Sequence, residues 1–472
     1  MVSVTIVTWN SEKYLRECFA ALAAQDYRDL EVIIVDNASE DGTRALLLPI
    51  AGTDGSRRGP RPDSAAGDSL WRVIYNDKNV GFAAGQNQAI RASRGNFVLC
   101  LNPDVMLSPN FITQLMAAAG ERCFDAGVFC GKLLRWDPEI RGSYQGTTSV
   151  VPVEAQGDQG FSPCTNSAQG LKPTSSGGDT ARLKSCPDTK PTREMSHDIA
   201  AHETLRREPE GSLYPSINGT PEGVPLQGTP QGLPLQTRAP QKVSPVDADP
   251  RQTNIIDSTG IYFTPNMRHL DRGAEEIDRG QYDRLQYVFG ATGAAAFYRR
   301  SFIDDVSVEG EFFDEDFFAF REDGDLSWRA QLMGWKCLYV PTAVAWHVRR
   351  VTPERRKDLP LIINWHSAKN RFLMRGKNAS GWLCWRLFFP VFWRDLMTFG
   401  YAALRDRRLW SAVTYWWKAR ESVRRKRHII QSRRRVSDRE LVWWFSNTPR
   451  AQDAPEPPPQ SALSSQQSAK RL

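Results

Sequence analysis

The sequence has no C-x-x-C pair, no G-x-G-x-x-G after its first strand-like segment, and no run of about 20 uninterrupted apolar residues. The first absence removes zinc ribbons and thioredoxin-type dithiols. The second disfavours a dinucleotide oxidoreductase, since Gly81, Gly85 and Gly95 do not have the required spacing. The third leaves no candidate transmembrane helix. A secretory start is also missing: MVSVTIVTWN has no basic opening, no long apolar core and no small-residue cleavage site. A strand begins almost at residue 1, so the folded domain is expected to stay in the cytoplasm. Eight cysteines, at 18, 100, 123, 130, 164, 186, 337 and 384, are scattered over apparent strands, helices and loops. They read as reduced thiols of a cytosolic protein.

What is present is ordinary in bulk and uneven in detail. Of 472 residues, 40% are hydrophobic and 24% charged, enough for a large core. The net charge of +7 is concentrated towards the C-terminus, so it speaks of a patch and not of the whole molecule.

Val2 to Val7 and Leu30 to Val35 are short β-rich apolar runs, as strands buried on both faces should be. Leu15, Phe19 and Leu22 recur at helical spacing between them. Trp71 to Tyr75 and Phe97 to Leu101 read as further strands, with a helix over Ala83 to Ser93. This alternation predicts an α/β fold with a mainly parallel sheet flanked by helices, and ligands outside the carboxyl ends of its strands. Residues 51 to 68 read as a flexible loop. Residues 141 to 250, dense in Pro, Gly, Ser, Thr and Gln, read as a disordered insertion that buries too little apolar surface to offset its ordering entropy.

Order is expected to resume near Ile255, with a helix marked by Leu326, Ala330 and Met333, and a strand over Cys337 to Val340. The boundaries that follow are 1–140 and 251–380 for two halves of one domain. A helical, basic and aromatic extension follows over 381–448, then a disordered tail over 449–472.

Three local signals point to chemistry. Asn102-Pro103-Asp104 directly follows the strand Phe97 to Leu101, which aims a carboxylate at the ligand crevice. A carboxylate together with diphosphate oxygens suits Mg²⁺ or Mn²⁺, so Asp104 is a metal candidate; a plain turn is the alternative. Asp36 ends the second strand, where an acid commonly receives ribose or base hydrogen bonds; Asn37, Ser39 and Asp41 could instead cap the next helix. The cluster Asp314, Glu315, Asp316, Glu322, Asp323 and Asp325 lies among five phenylalanines, a costly arrangement without a purpose. A carboxylate at a helix start is held ionised by the dipole, as a base must be, with capping the plainer role for Asp325.

The strings VSVTIVTWNSEKYLRECFAAL, VIIVDNASEDGT and NDKNVGFAAGQNQAIRASRGNFVLCLNPDV resemble bacterial family 2 glycosyltransferases, most of all the rhamnosyltransferase-type branch. GATGAAAFYRRSFID, FDEDFFAFREDGDLSWRAQLMGWKCLYVPTAVAWH and NRFLMRGKN continue the likeness, which covers about residues 2 to 140 and 255 to 380. The resemblance implies a GT-A fold, an inverting mechanism and a metal-bound nucleotide sugar. Carried over, it sets Thr8, Asn10 and Asp36 on the nucleoside, and Asn79, Gly81 and Asn87 in the donor pocket. Asp104 becomes the last acid of the D-x-D metal motif, Asp323 of Glu322-Asp323 the catalytic base, and His347 a group near the metal or diphosphate. Asn102 stands where that motif has its first Asp and is counted with the nucleotide-sugar residues. The N-P-D variant favours dTDP-rhamnose as donor, with UDP-sugars next, in cell-surface polysaccharide synthesis.

In the C-terminal extension Trp382, Trp385, Phe388, Phe389, Phe392 and Trp393 could form an apolar face at lipid headgroup level, flanked by arginines. The expected partners are a nucleotide-diphosphate sugar, a glycan or lipid-linked acceptor and an anionic membrane at the inner face of the cell membrane. No nucleic-acid-binding module is visible. Two rivals remain: a non-catalytic sugar-nucleotide-binding scaffold, and a nucleotidyltransferase. The latter would need a basic glycine-rich loop where TWNSEKY stands.

Overall fold

The computed structural model describes residues 1–51, 70–121, 125–137, 249, 251–349, 361–404 and 408–454. Apart from residues 51 and 249, the expected loop at 51–68 and the insertion at 141–250 lie outside these residues, as does most of the tail. The described residues belong to one unit, drawn from both sides of the insertion.

The chain starts with β1 (Val2–Thr8), α1 (Glu12–Ala23), β2 (Leu30–Asp36), α2 (Thr43–Ala51), β3 (Leu70–Tyr75), α3 (Phe82–Ala92) and β4 (Phe97–Leu101). β1 and β2 are buried along their whole length, which is why each reads as a mostly apolar run; the polar Ser3 and Glu31 within them bond to each other. These four strands are parallel in the order β3-β2-β1-β4, with Val2 opposite both Leu30 and Phe97. α1 buries Leu15, Phe19 and Leu22 on one face of the sheet, where Phe19 meets Trp71 edge-on at 5.1 Å. α3 covers the other face through Ala89 and Phe82.

β5 (Val105–Leu107), α4 (Phe111–Glu121) and β6 (Ala126–Trp136) follow. Beyond the insertion come β7 (Gln252–Ser258), β8 (Ile261–Phe263), β9 (His269–Asp271), β10 (Gln286–Val288), β11 (Ala295–Arg299), α5 (Arg300–Val306), α6 (Glu322–Leu332) and β12 (Lys336–His347). β11 enters antiparallel between β4 and β6, and β6 then pairs parallel with β12 over a long ladder. The result is the mixed α/β architecture with helices on both faces that the alternation predicts. β12 is three times longer than the Cys337 to Val340 core expected, and carries the chain on to His347. α6 starts at Glu322, so Glu322 and Asp323 lie in its first turn and not ahead of it.

The C-terminal part is helical: α7 (Leu361–Asn378), α8 (Gly381–Arg386), α9 (Phe388–Leu404), α10 (Arg408–Ser432) and α11 (Asp438–Val442). Leu373, Met374, Leu383, Val423 and Leu441 pack on Phe263 and Trp328. One boundary needs correction. Of the tail expected from 449, residues 449–454 are described and hold β13 (Gln452–Asp453), which pairs antiparallel with β10.

α9 is turned inside out. Its acid, Asp395, points inward to Arg371 and Arg375 of α7. Its outer face carries Phe389, Trp393, Leu396, Met397, Tyr401 and Leu404, with Phe389 and Leu404 80% and 86% exposed. Among the described residues no helix is long and apolar enough to cross a membrane.

Candidate active site

The carboxyl ends of β1, β2 and β4 converge on one edge of the sheet. Asp36 stands there as expected, but its carboxylate is fully buried and engaged by the protein itself. Oδ1 accepts from Thr8 Oγ1 at 3.0 Å and Ser39 Oγ at 2.6 Å, and Oδ2 from Ser39 N at 3.2 Å and Arg44 Nε at 2.8 Å. Thr8 is likewise fully buried. These two residues therefore shape the rim, and it is half-exposed Arg44 and the exposed loop Trp9-Asn10 that face outward. Asn10 adopts φ 50° and its Oδ1 accepts from Glu40 N at 2.9 Å. Asp41, not Ser39, caps α2, accepting from Thr43 N at 3.0 Å.

Asn79 accepts from Gly81 N at 2.9 Å and so sets the entry to α3. Gly81 has φ 90°, and a Cβ there would strike Phe318. Asn87 does not line an open pocket. It is buried and grips the backbone of Phe313, donating to its O at 2.7 Å and accepting from its N at 2.9 Å. Asn102 is half-buried and ties β4 to β11 through Asn102 N donating to Ala294 O at 2.8 Å.

Asp104 and His347, 243 positions apart in number, meet because β5 pairs antiparallel with the end of β12, with Val105 opposite His347. His347 Nε2 lies 3.6 Å from Asp104 Oδ1. His347 Nδ1 is 2.8 Å from Asp257 Oδ2, which orients the ring. Arg349 continues the chain, donating to Asp257 Oδ1 at 2.9 Å and to Asp271 Oδ2 at 2.8 Å. Burial would lower the His347 pKa, but the charge of Asp257, the hydrogen bond that Asp257 accepts and the nearby carboxylate of Asp104 outweigh it and push it up to about 10. Burial pushes the Asp271 carboxyl up to about 6 against the pull of Arg349, helped by the charges of Asp257 and Asp323.

Asp323 closes the same cluster. Its Oδ2 accepts from Gly293 N at 3.1 Å, its Oδ1 from Gly324 N at 2.7 Å, and His269 Nε2 lies 3.8 Å from Oδ1. Burial pulls the His269 pKa down to about 4. Glu322 is pushed up to about 8, first by burial and then by the charge of Asp323. Its buried Oε2 has no hydrogen-bond partner among the described residues. The remaining acids of the cluster have structural employment. Asp325 pairs with Arg329 and Lys377 and does not cap α6. Asp314 and Asp316 pair with Lys426, and Asp314 also with Lys377.

Asp257, Asp271, Arg349 and His269 were not singled out in the sequence. The alternation His269-Leu270-Asp271 on β9 was the available signal for two of them, since it puts both side chains on one face.

Among the described residues no three His, Cys, Asp or Glu side chains form a closed metal cage. The pair Asp104 and His347 still fits a hard divalent cation, which would displace the Nε2 proton that the neighbouring carboxylates otherwise hold on the ring. The two atoms face each other beyond hydrogen-bond length, with Nδ1 committed to Asp257, and such a cation keeps sites for phosphate oxygens and water.

A family model described as glycosyl transferase family 2 matches residues 3–160. An N-acetylglucosaminyltransferase of Bradyrhizobium sp. (strain ANU 289) is 34% identical over 116 residues, 24% of this chain and 67% of the relative. The putative glycosyltransferase EpsH of Bacillus subtilis (strain 168) is 27% identical over 149 residues, 30% of this chain and 39% of its own length. A mannosyltransferase of Pyrobaculum calidifontis, solved with GDP-Man and Mn²⁺, aligns over 92% of this chain and 85% of its own at 13% identity, with a TM-score of 0.38. The chain belongs to glycosyl transferase family 2. It spans only 39% to 66% of the length of the first curated relatives it matches.

Proposed function

We propose that this chain is an inverting glycosyltransferase that moves a sugar from a nucleoside-diphosphate donor to a hydroxyl of a glycan or lipid-linked acceptor in polysaccharide synthesis. The observation that carries this is the polar chain from Asp104 through His347, Asp257 and Arg349 to Asp271 on β9, the strand whose His269 lies 3.8 Å from Asp323. Asp323, fixed by Gly293 N and by the start of α6, accepts the proton of the acceptor hydroxyl as that oxygen attacks the anomeric carbon. The nucleoside diphosphate leaves on the opposite side, and a single displacement inverts the anomeric configuration. Asp104 and His347 would hold Mg²⁺ or Mn²⁺, which when bound neutralises charge on the leaving diphosphate. Burial, then the charge of Asp323, hold Glu322 largely protonated at neutral pH. Asn10 and Arg44 flank the nucleoside.

The Asn-Pro-Asp variant favours dTDP-rhamnose; the curated relatives named N-acetylglucosaminyltransferases favour a nucleotide-activated N-acetylglucosamine. Hydrolysis of a donor panel with and without Mn²⁺ decides between them, because it needs no known acceptor. Loss of hydrolysis in Asp323→Asn with nucleotide binding kept supports the reading. A wild-type chain that binds a donor but never turns it over would make it a scaffold.

The same reading sets the outer face of α8 and α9 on an anionic membrane at the cytoplasmic side. Trp385 is 74% exposed beside Phe389 and Trp393, and Lys418, Arg424 and Arg425 are exposed on α10. Each basic group near such a surface is worth about 1 kcal/mol.

A further inference from the structure

Phe318, Phe320 and Arg321 all have left-handed backbones, with φ of 64°, 70° and 71°. Residues with a Cβ avoid this region because it crowds the following carbonyl. Three of them within four positions form a turn that only its surroundings can hold. The turn leads straight into Glu322 and Asp323.

Most of the holding comes from α7. Asn370 is fully buried, and its Nδ2 donates towards three carbonyl oxygens of the turn: Phe317 O at 3.0 Å, Ala319 O at 2.8 Å and Phe320 O at 2.7 Å. An amide group has two hydrogens, so the three carbonyls share them. One helical turn earlier, Ser367 receives Arg321, whose Nε donates to Ser367 O at 2.8 Å and Nη2 to Ser367 Oγ at 3.1 Å. Lys369 Nζ donates to Asp316 O at 2.5 Å. The other side of the turn rests on the nucleotide-binding half, where Ala83 N donates to Phe318 O at 3.1 Å and Gly81 leaves room for the Phe318 ring.

We propose that Asn370 is a positioning residue for the reaction: by gathering the carbonyls of Phe317, Ala319 and Phe320 it fixes the left-handed turn that aims Asp323 into the cleft. α7 thereby belongs to the active site, although none of its side chains touches the reacting atoms. The inference rests on the reading of Asp323 as the base. Asn370→Asp keeps the shape but sets a carboxylate against three carbonyl oxygens. Asn370→Ser keeps one donor at shorter reach.

Both full-length variants are tested in two ways. Hydrogen exchange of amides 317–325 reads the turn without any substrate. Hydrolysis of UDP-GlcNAc and dTDP-rhamnose, with UDP titrated as a binding probe, reads catalysis. The expected result is faster exchange confined to 317–325, more in the Asp variant than in the Ser variant. With it, kcat falls about 100-fold in Asn370→Asp, while KM and UDP affinity stay as in the unmodified chain. Unchanged exchange in the turn overturns the proposal. So does loss of protection throughout the chain in both variants, which would make Asn370 a residue of the general fold. Failure of the unmodified chain to hydrolyse any donor would instead defeat the proposed function, and the exchange result would still decide whether Asn370 holds the turn.

Discussion

Replacing Glu322 by Gln should make the protein more stable at neutral pH, and the gain should depend on pH in a defined way. In the folded chain burial and the charge of Asp323 push the Glu322 carboxyl up to about 8, against an ordinary value of 4.5. An unfolded chain releases this proton near the ordinary value; the folded chain keeps it until about 8. Between those limits each rise in pH favours the unfolded state. The stability that the neutral carboxyl confers is thus complete below the ordinary value and is lost as pH rises through the folded one. At about 1.4 kcal/mol per pH unit, the wild type at pH 7 has given up about 3 kcal/mol relative to its acidic limit. Gln keeps the shape and the neutrality without a proton to lose. Urea unfolding of both proteins from pH 5 to 8.5 measures the difference. Glu322→Gln should be about 1 kcal/mol more stable than wild type at pH 5 and about 3 kcal/mol at pH 7, with the gap reaching a plateau of about 5 kcal/mol above pH 8. A difference that stays flat across the range would refute the reasoning, because it would mean that Glu322 titrates alike in both states.

Two further outcomes follow from the site and from the C-terminal helices. Asp257→Asn removes the carboxylate that orients His347 through Nδ1, and Mn²⁺ affinity measured by calorimetry should fall about 10–100-fold. The full chain should co-sediment with phosphatidylglycerol vesicles at moderate salt, and the double variant Phe389→Glu with Trp393→Glu should remain in the supernatant, since both residues lie on the outward face of α9.

The N-terminal half was legible almost residue by residue, because β1, β2 and β4 are buried almost throughout and therefore mostly apolar. The meeting of Asp104 with His347 was foreseen only through the family resemblance. No local pattern encodes that β5 returns antiparallel against the end of β12. Asp257, Asp271 and Arg349 were missed for the same reason: their pairing is a product of sheet register across the insertion, not of spacing. Asp36, Thr8 and Asn87 show the converse limit. A polar residue at a strand end or on a helix can face the ligand or its own neighbours, and here all three turn inward. The acidic cluster divided likewise once Lys377 and Lys426, far along the chain, were seen to neutralise part of it. Such pairings are long-range, and buried charges of this kind are read from contacts and not from composition.

The account stands on Asp323 as the group that takes the proton from the attacking oxygen. Donor hydrolysis by Asp323→Asn, measured beside UDP binding by the same preparation, tests this most directly. The account predicts UDP affinity like that of the wild type and a turnover lower by about 10²–10⁴-fold. Turnover close to wild type in a variant that binds UDP normally would contradict it.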